Sequence, residues 1–311
     1  MEALLSLAFD NIASKDTQKI RKGLRQIEGM LAQICLSSGK SKPCTPAHRR
    51  NASAISLGEQ QQQQQQQQQA TPKKLGQLSD DLAFREFFRL QEGFEWNVVT
   101  RVADCLDRLL GMGSSKGMKC ARTGHGRELT ATADGQNDIL ILSSLSNMQG
   151  LLLLHPPSRI IFGREVYMNL LLDLLDPYNC PAIQSQALLV LVSALLATPQ
   201  NTRIFEHMDG LLTVTSLFKD EETTQGVKVK LLEFLYFYLM PEVPVSGAQR
   251  NRTKVAAAMD RRNSADEGAE GIRRHTRSQA EKQHMLGKYL NNVDALVQDL
   301  QESAPFTNVG C

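Results

Sequence analysis

The spacing closest to a known catalytic motif joins Cys44 to Arg50, with five residues between them. Tyrosine and dual-specificity phosphatases place their cysteine and arginine at this spacing. Those enzymes also need the intervening backbone folded as a phosphate cradle at a helix N-terminus, which lowers the pKa of the thiol. Here the intervening residues include Pro46 but no glycine, and a run of glutamines, Gln60 to Gln69, follows closely. We therefore expect no phosphatase site in this segment.

No other catalytic or cofactor-binding motif stands in a supporting sequence context. The chain contains none of the motifs GxxxxGK[ST], GxGxxG and HExxH. Residues 113–117 read GSSKG and match the bare GxSxG spacing, but no strand pattern precedes them, as the nucleophile elbow of a hydrolase requires. Its six histidines form no pair, with each other or with a cysteine, at the spacing of metal ligands. The six cysteines form no CxxC pair, which favours reduced thiols in a cytoplasmic protein. We therefore predict a protein that is not an enzyme and that binds neither a metal nor a cofactor.

Three polar stretches match short patterns that basophilic protein kinases recognise. The patterns are H-x-R-x-x-S, R-x-x-S and R-x-x-T, and they end at Ser53, Ser264 and Thr276 respectively. A phosphate at any of these positions would reverse the local charge and could release or create contacts. We treat the three residues as candidate phosphorylation sites.

The charge balance excludes some classes of partner. The formal net charge of the 311 residues is only +2, whereas duplex nucleic acid is bound by neutralising many phosphates. Residues 138–240 have a net charge of −4, while residues 37–79 have a net charge of +5. No run of 18 apolar residues occurs, and no basic stretch precedes the first apolar residues. We expect no nucleic-acid partner, no membrane span and no secretory signal.

An internal repeat of 43 residues organises the centre of the chain. Residues 158–196 align without gaps on residues 201–239, and the same offset extends backwards to two more helices. Positions i, i+3 and i+8 of these helices are apolar in all four registers, starting from Val102, Leu145, Leu188 and Leu231. No segment alternates with a period of two residues, so we predict an all-α protein. A period of 43 is typical of an armadillo/HEAT-like helical solenoid.

Composition divides the chain into seven segments. Long stretches rich in Gln, Ser, Pro and Lys cannot bury enough apolar surface to fold. We predict solenoid helices in 1–36, a disordered insert with polyglutamine in 37–79, solenoid helices in 80–111, a loop in 112–137, an armadillo-like repeat core in 138–240, a disordered basic linker in 241–281 and a C-terminal docking helix in 282–304.

The last repeat helix and the C-terminal helix are both too apolar to stand alone. Residues 226–240 are apolar almost all round, so packing one face on the solenoid leaves an exposed aromatic patch formed by Leu232, Tyr236, Phe237 and Met240. Residues 282–302 are predicted to form one amphipathic helix with a broad apolar stripe. Either this helix packs back on the patch as an end cap, or a partner protein binds the patch.

Several long segments resemble one fungal protein family. They read LHPPSR, FGREVYMNLLLDLL, CPAIQSQALLVLVSALL, NTRIFEHMDGL, EFLYFYLMPE and KYLNNVDALVQDLQESAPF. The sequence is similar to the cell division control protein fourteen family of the septation initiation network, which is not the phosphatase of the same number. The polyglutamine insert and residues 243–280 lie outside this resemblance.

The resemblance implies a function in cell division. Members of that family are non-catalytic partners of a sterile-twenty-like protein kinase of the germinal-centre type, and the complex controls septum formation and cytokinesis. The resemblance also implies a cytoplasmic protein that is recruited to the spindle pole body and its components. The alternative from the residues themselves is a generic armadillo-type adaptor for another partner.

Overall fold

The structure is a computed structural model that describes residues 1–36, 73, 75–114, 133–242 and 276–303. Regular secondary structure in these ranges is entirely helical, and no strand occurs in them. The predicted all-α class is therefore confirmed. No single helix in these ranges has the length and apolar composition needed to cross a membrane; one pair bent by 118°, 137–154 with 156–163, meets those two criteria together.

The helices follow one another with short connections in most of the described ranges. Their bounds are α1 Glu2–Ala13, α2 Thr17–Cys35, α3 Leu75–Leu78, α4 Leu82–Glu92, α5 Val98–Ser114, α6 Ala133–Leu154, a 3₁₀ helix Pro156–Gly163, α7 Glu165–Asp173, α8 Pro181–Leu195, α9 Pro199–His207, α10 Gly210–Lys219, α11 Gln225–Leu239, α12 Gln279–Gly287 and α13 Val293–Ser303.

Four helices form the centre of the molecule, each packed on the next: α5 on α6, α6 on α8, and α8 on α11. These are the helices that the 43-residue offset aligns. The side chains at the first aligned position are Val102, Leu145, Leu188 and Leu231, and all are buried. Those three residues further on are Cys105, Met148, Leu191 and Phe234, and they are buried as well. The repeat therefore marks the helix face that holds the core.

The third aligned position is less buried than the first two. Leu239 is buried, but Leu153 and Leu196 are 51% and 39% exposed, and Leu110 is only partly buried. Successive residues turn by about 100° around a helix, so this position lies about 140° from the second one. It therefore falls at the edge of the buried face.

The N-terminal helices α1 and α2 pack closely side by side. Asp16 caps α2 by accepting a hydrogen bond from the backbone N–H of Gln18 at 2.9 Å. Gly23 lies at the contact, where a Cβ atom would come within 2.9 Å of the carbonyl oxygen of Ala8. Asn147 of α6 donates to the carbonyl oxygen of Leu24 at 3.2 Å, which joins the hairpin to the central helices.

Some predicted boundaries differ from the structure. The helices predicted in 80–111 are α4 and α5, whereas residues 75–78 of the predicted insert form the short helix α3. The predicted loop 112–137 includes the last turn of α5 and the first of α6, and 115–132 lie outside the described residues. Helix α6 ends at Leu154, and prolines 156 and 157 open the 3₁₀ helix that follows, because the fixed φ of proline suits a first turn.

The single C-terminal helix predicted over 282–302 is wrong. The structure has two helices there, α12 and α13, with a turn over residues 288–292 between them. Gly287 is a weak helix former, and Asn291 and Asn292 favour turns and helix starts. The apolar period continues across this turn, which hid the break in the sequence pattern.

Candidate interaction site

Helix α11 has two apolar faces that meet different parts of the molecule. Its inner face consists of Leu231, Phe234, Leu235, Tyr238 and Leu239, and each of these side chains is at most 1% exposed. This face packs on α8 and α10. The Phe234 ring lies 5.5 Å from the ring of Phe205 of α9 in an edge-to-face arrangement.

The outer face of α11 holds the four residues of the aromatic patch. Leu232, Tyr236 and Phe237 are partly buried, and Met240 is 51% exposed. Both C-terminal helices, α12 and α13, contact α11. The hydroxyl of Tyr236 is 3.4 Å from a carboxylate oxygen of Asp299 on α13. The chain itself therefore contacts the helix that carries the patch.

The C-terminal helices bury most of their apolar stripe in this arrangement. Leu286, Leu290, Val293 and Val297 are less than 10% exposed and belong to the same core as the central helices. Met285, Tyr289 and Leu296 pack against that core and stay partly exposed. The ammonium of Lys219 on α10 donates to the carbonyl oxygen of Tyr289, so the turn between α12 and α13 is also held.

A set of mostly buried charges joins the C-terminal segment to α9 and to the end of α11. We call Arg203, Glu206, Glu242, Arg277 and Lys282 the ionic cluster. Glu242 pairs with Arg203 and, at 3.2 Å, with Lys282, and its other carboxylate oxygen accepts from the backbone N–H of Arg277 at 2.9 Å. Glu206 pairs with Arg203 at 2.9 Å and Arg277 at 3.1 Å.

Two further contacts complete the surroundings of the cluster. Tyr238 donates its hydroxyl to the carboxylate of Glu206 at 2.8 Å, and its ring lies 5.1 Å from the Lys282 ammonium. Lys282 also donates to the carbonyl oxygen of Met240 at 2.9 Å. The ammonium of Lys282 thus meets the ring of Tyr238 on α11 and, just after that helix, the carbonyl of Met240 and the carboxylate of Glu242, which replace the water lost on burial.

Burial shifts the pKa values of ionisable groups in and beside the cluster. Desolvation raises the pKa of the Glu206 carboxyl, and the Arg203 guanidinium opposes that shift. Desolvation also lowers the pKa of the Lys282 ammonium, against the attraction of Glu242. Burial and the nearby Glu206 carboxylate raise the pKa of the Tyr238 phenol, which keeps it a neutral donor. The cluster is an electrostatic contact that joins the C-terminal segment to α9 and to the end of α11.

The structure places only some of the residues that the sequence singled out. Thr276 is exposed and directly precedes Arg277 of the ionic cluster. Ser53 and Ser264 lie outside the described residues, as do Cys44 and Arg50. Within the described ranges, no group of three or more His, Cys, Asp or Glu side chains could hold a metal ion.

The ionic cluster is the feature that sequence reasoning missed. Arg203 and Glu206 stand three residues apart on one helix, which is a recognisable pair. Glu242 and Lys282 lie in or beside a segment that reads as a solvated linker, and nothing in their spacing marks them as buried. Pairing across 40 residues depends on how the C-terminal helices dock, which the local pattern does not encode.

The chain matches known proteins over nearly its whole length. A family model described as "Cell division control protein 14, SIN component" matches residues 1–123 and 126–306. The chain is also 28% identical over 310 residues to the "Cell division control protein 14" of Schizosaccharomyces pombe, covering 98% of this chain and 97% of that protein. No solved structure matches. The chain therefore belongs to the family of cell division control protein 14, the SIN component.

Proposed function

We propose that this protein is a non-catalytic binding partner of a germinal-centre-type protein kinase in the septation initiation network, where it controls septum formation and cytokinesis. The observation that carries the proposal is the family match, which extends from residue 1 to residue 306 with a gap of two residues. The relative in Schizosaccharomyces pombe matches end to end as well. The kinase partnership itself is what the resemblance to the family implies.

The finer architecture belongs to the same proposal. The four helices aligned by the 43-residue offset pack in succession, and their aligned positions are buried. That order is what an armadillo/HEAT-like solenoid requires, because each unit of such a fold contacts its neighbours. A stack of this kind offers long helical surfaces to a partner protein.

We propose that the aromatic patch binds the C-terminal helices of the same chain and not a partner protein. Leu232, Tyr236, Phe237 and Met240 dock α12 and α13, so that the C-terminal segment closes the end of the stack. The contacts of α11 with both helices and the ionic cluster support this reading. The kinase would then bind the closed molecule, including the surface that α12 and α13 add.

We also propose a cytoplasmic protein that is recruited to the spindle pole body, without a nucleic-acid or membrane partner. The rival function is a generic armadillo-type adaptor, which the apolar helical surface alone would suit equally well.

A phosphatase activity is tested by incubating the purified chain with phosphopeptides, and turnover abolished by Cys44→Ser would overturn the non-catalytic assignment.

The kinase partnership is tested by affinity purification from dividing fungal cells followed by mass spectrometry. We expect a germinal-centre-type kinase among the enriched proteins of the wild-type chain. Tyr236→Asp with Phe237→Asp should undock α12 and α13, while Lys228→Gln, on the same helix, should leave them docked. Enrichment without any protein kinase would favour the adaptor.

A further inference from the structure

Helix α2, together with Lys15 just before it, carries a dense row of basic side chains that have no partner among the described residues. Residues 15–26 have a net charge of +4, from Lys15, Lys19, Arg21, Lys22 and Arg25 against Asp16. None of these five basic side chains forms an ion pair or hydrogen bond within the part of the chain that the structure describes. The Asp16 carboxylate is engaged in capping α2.

Most other basic side chains of the described ranges are engaged, which makes this row distinct. Arg108 donates to the carbonyl oxygens of Ile12 and Ala13, and Arg159 donates to two helix-end carbonyls. Arg203, Arg277 and Lys282 belong to the ionic cluster. The charges of α2 are therefore not used to hold this molecule together.

Part of the row lines a concavity. Gln18, Arg21, Lys22, Arg25 and Gln26 surround a shallow depression of about 370 Å³. The distance along the helix from the first to the last of these residues is about 12 Å at 1.5 Å per residue. An extended peptide covers that distance in about four residues. The three cations Arg21, Lys22 and Arg25 lie within five residues of one another. Together they can bind the roughly two negative charges of one phosphate group.

The walls of this depression are held in place. The side-chain oxygen of Gln26 accepts a hydrogen bond from Asn11 at 2.9 Å, which leaves the amide NH₂ of Gln26 as a donor. The close contact at Gly23 fixes α2 against α1. Arg21 is partly buried, so its stem is packed while Lys22 and Arg25 are exposed. The fixed helix holds the Cα atoms of these donors at constant spacing, which lowers the entropic cost of binding.

The rest of this chain does not supply the occupant. Residues 37–72, 115–132 and 243–275, the three longer stretches outside the described residues, each have a net charge of +3, and 304–311 have none. Like charges would repel them from α2, and one phosphate at Ser53 or Ser264, with a charge of about −2, would still leave its stretch with a positive net charge. One concavity along a single helix is also too small to neutralise the many phosphates that nucleic-acid binding needs.

We propose that the basic concavity on α2 binds a phosphorylated serine or threonine segment of a partner polypeptide. This site is separate from the α11 end of the molecule and does not depend on which protein supplies the segment. The inference therefore survives or fails independently of the kinase partnership.

The test uses the full chain and a nine-residue, fluorescein-labelled peptide of Gly, Ala and Ser with two phosphoserines three positions apart. Fluorescence polarisation should show saturable binding that weakens with added salt, and no binding of the unphosphorylated peptide. Arg21→Gln with Lys22→Gln and Arg25→Gln should weaken binding by about tenfold or more. The control, Arg164→Gln with Lys228→Gln and Lys288→Gln, removes the same charge elsewhere and should bind as the wild type does.

Several outcomes would overturn the inference. They are failure of the wild type to bind the phosphopeptide, equal binding of the unphosphorylated peptide, and retained binding by the α2 variant. Tighter binding to phosphatidylserine vesicles, lost in the same variant, would point to a membrane instead. Self-association that the α2 variant abolishes, measured by sedimentation, would point to a second copy of the chain. Circular dichroism melting separates a folding defect from a binding defect.

Discussion

Glu242 connects three parts of the molecule through one carboxylate. It pairs with Arg203 of α9 and Lys282 of α12, and it accepts from the backbone N–H of Arg277. Removing one member of a buried ion pair leaves its partners charged and poorly solvated, which costs about 3–5 kcal/mol. At the scale of single residues, this cluster decides whether the C-terminal segment stays docked.

We predict that Glu242→Gln weakens the docking of the C-terminal segment by about 3 kcal/mol. Hydrogen exchange of the amides in α12 and α13 should accelerate accordingly. Glu233→Gln is the matched control, because Glu233 pairs with Lys230 on the exposed side of α11 and such pairs contribute about 1 kcal/mol or less. Equal exchange in the two variants would contradict this role for Glu242.

The raised pKa of Glu206 has a consequence for pH dependence. Burial is its main cause, and the ordinary value is 4.5. Between pH 4.5 and the raised pKa, the folded chain keeps a proton that the unfolded chain has lost, so the contribution of this group to stability falls as the pH rises. The variant Glu206→Gln cannot titrate. The unfolding free energy of this variant, measured in urea, should rise relative to that of the wild type as the pH rises through this window. A difference between the two that stays constant with pH would refute the raised pKa of Glu206.

At the scale of elements, the α1–α2 hairpin depends on the absence of a side chain. A Cβ atom at Gly23 would lie 2.7 Å from Cγ2 of Ile12 and 2.9 Å from the carbonyl oxygen of Ala8. Gly23→Ala should therefore destabilise the protein by about 1–3 kcal/mol through overpacking. Gly29→Ala on the same helix meets nothing within 4 Å and should stabilise by up to about 1 kcal/mol. This explanation would be contradicted if denaturant unfolding showed both variants changing the unfolding free energy in the same direction.

Elements with a complete apolar period could be predicted from the sequence. Features that depend on contacts between distant segments could not. The inner face of α11 and the aligned positions from Val102 to Leu231 could be predicted, because a buried helical face imposes a period close to 3.6 residues. The turn at 288–292 could not, since Tyr289 and Leu290 keep the apolar pattern through it. The ionic cluster could not either, because its members come from three distant segments.

At the scale of the whole molecule, the C-terminal helices pack on α11, the last of the four aligned helices. Deleting residues 282–311 would expose the outer face of α11 and remove Leu286, Leu290, Val293 and Val297 from the core, each worth about 1.5–3 kcal/mol when fully buried. We expect a lower melting temperature by about 5 °C or more and reduced solubility. Deleting only residues 304–311 is the control and should change neither. An unchanged melting curve for the longer deletion would remove the end-cap role.

The central claim is that the closed helical stack acts by binding a protein kinase and performs no chemistry of its own. The most direct measurement mixes the purified full chain with a purified germinal-centre-type kinase of the septation network and determines mass by light scattering during size-exclusion chromatography. The account predicts a stable complex whose mass is a sum of whole copies of the two chains. Elution of the two proteins as separate species at micromolar concentration would contradict it.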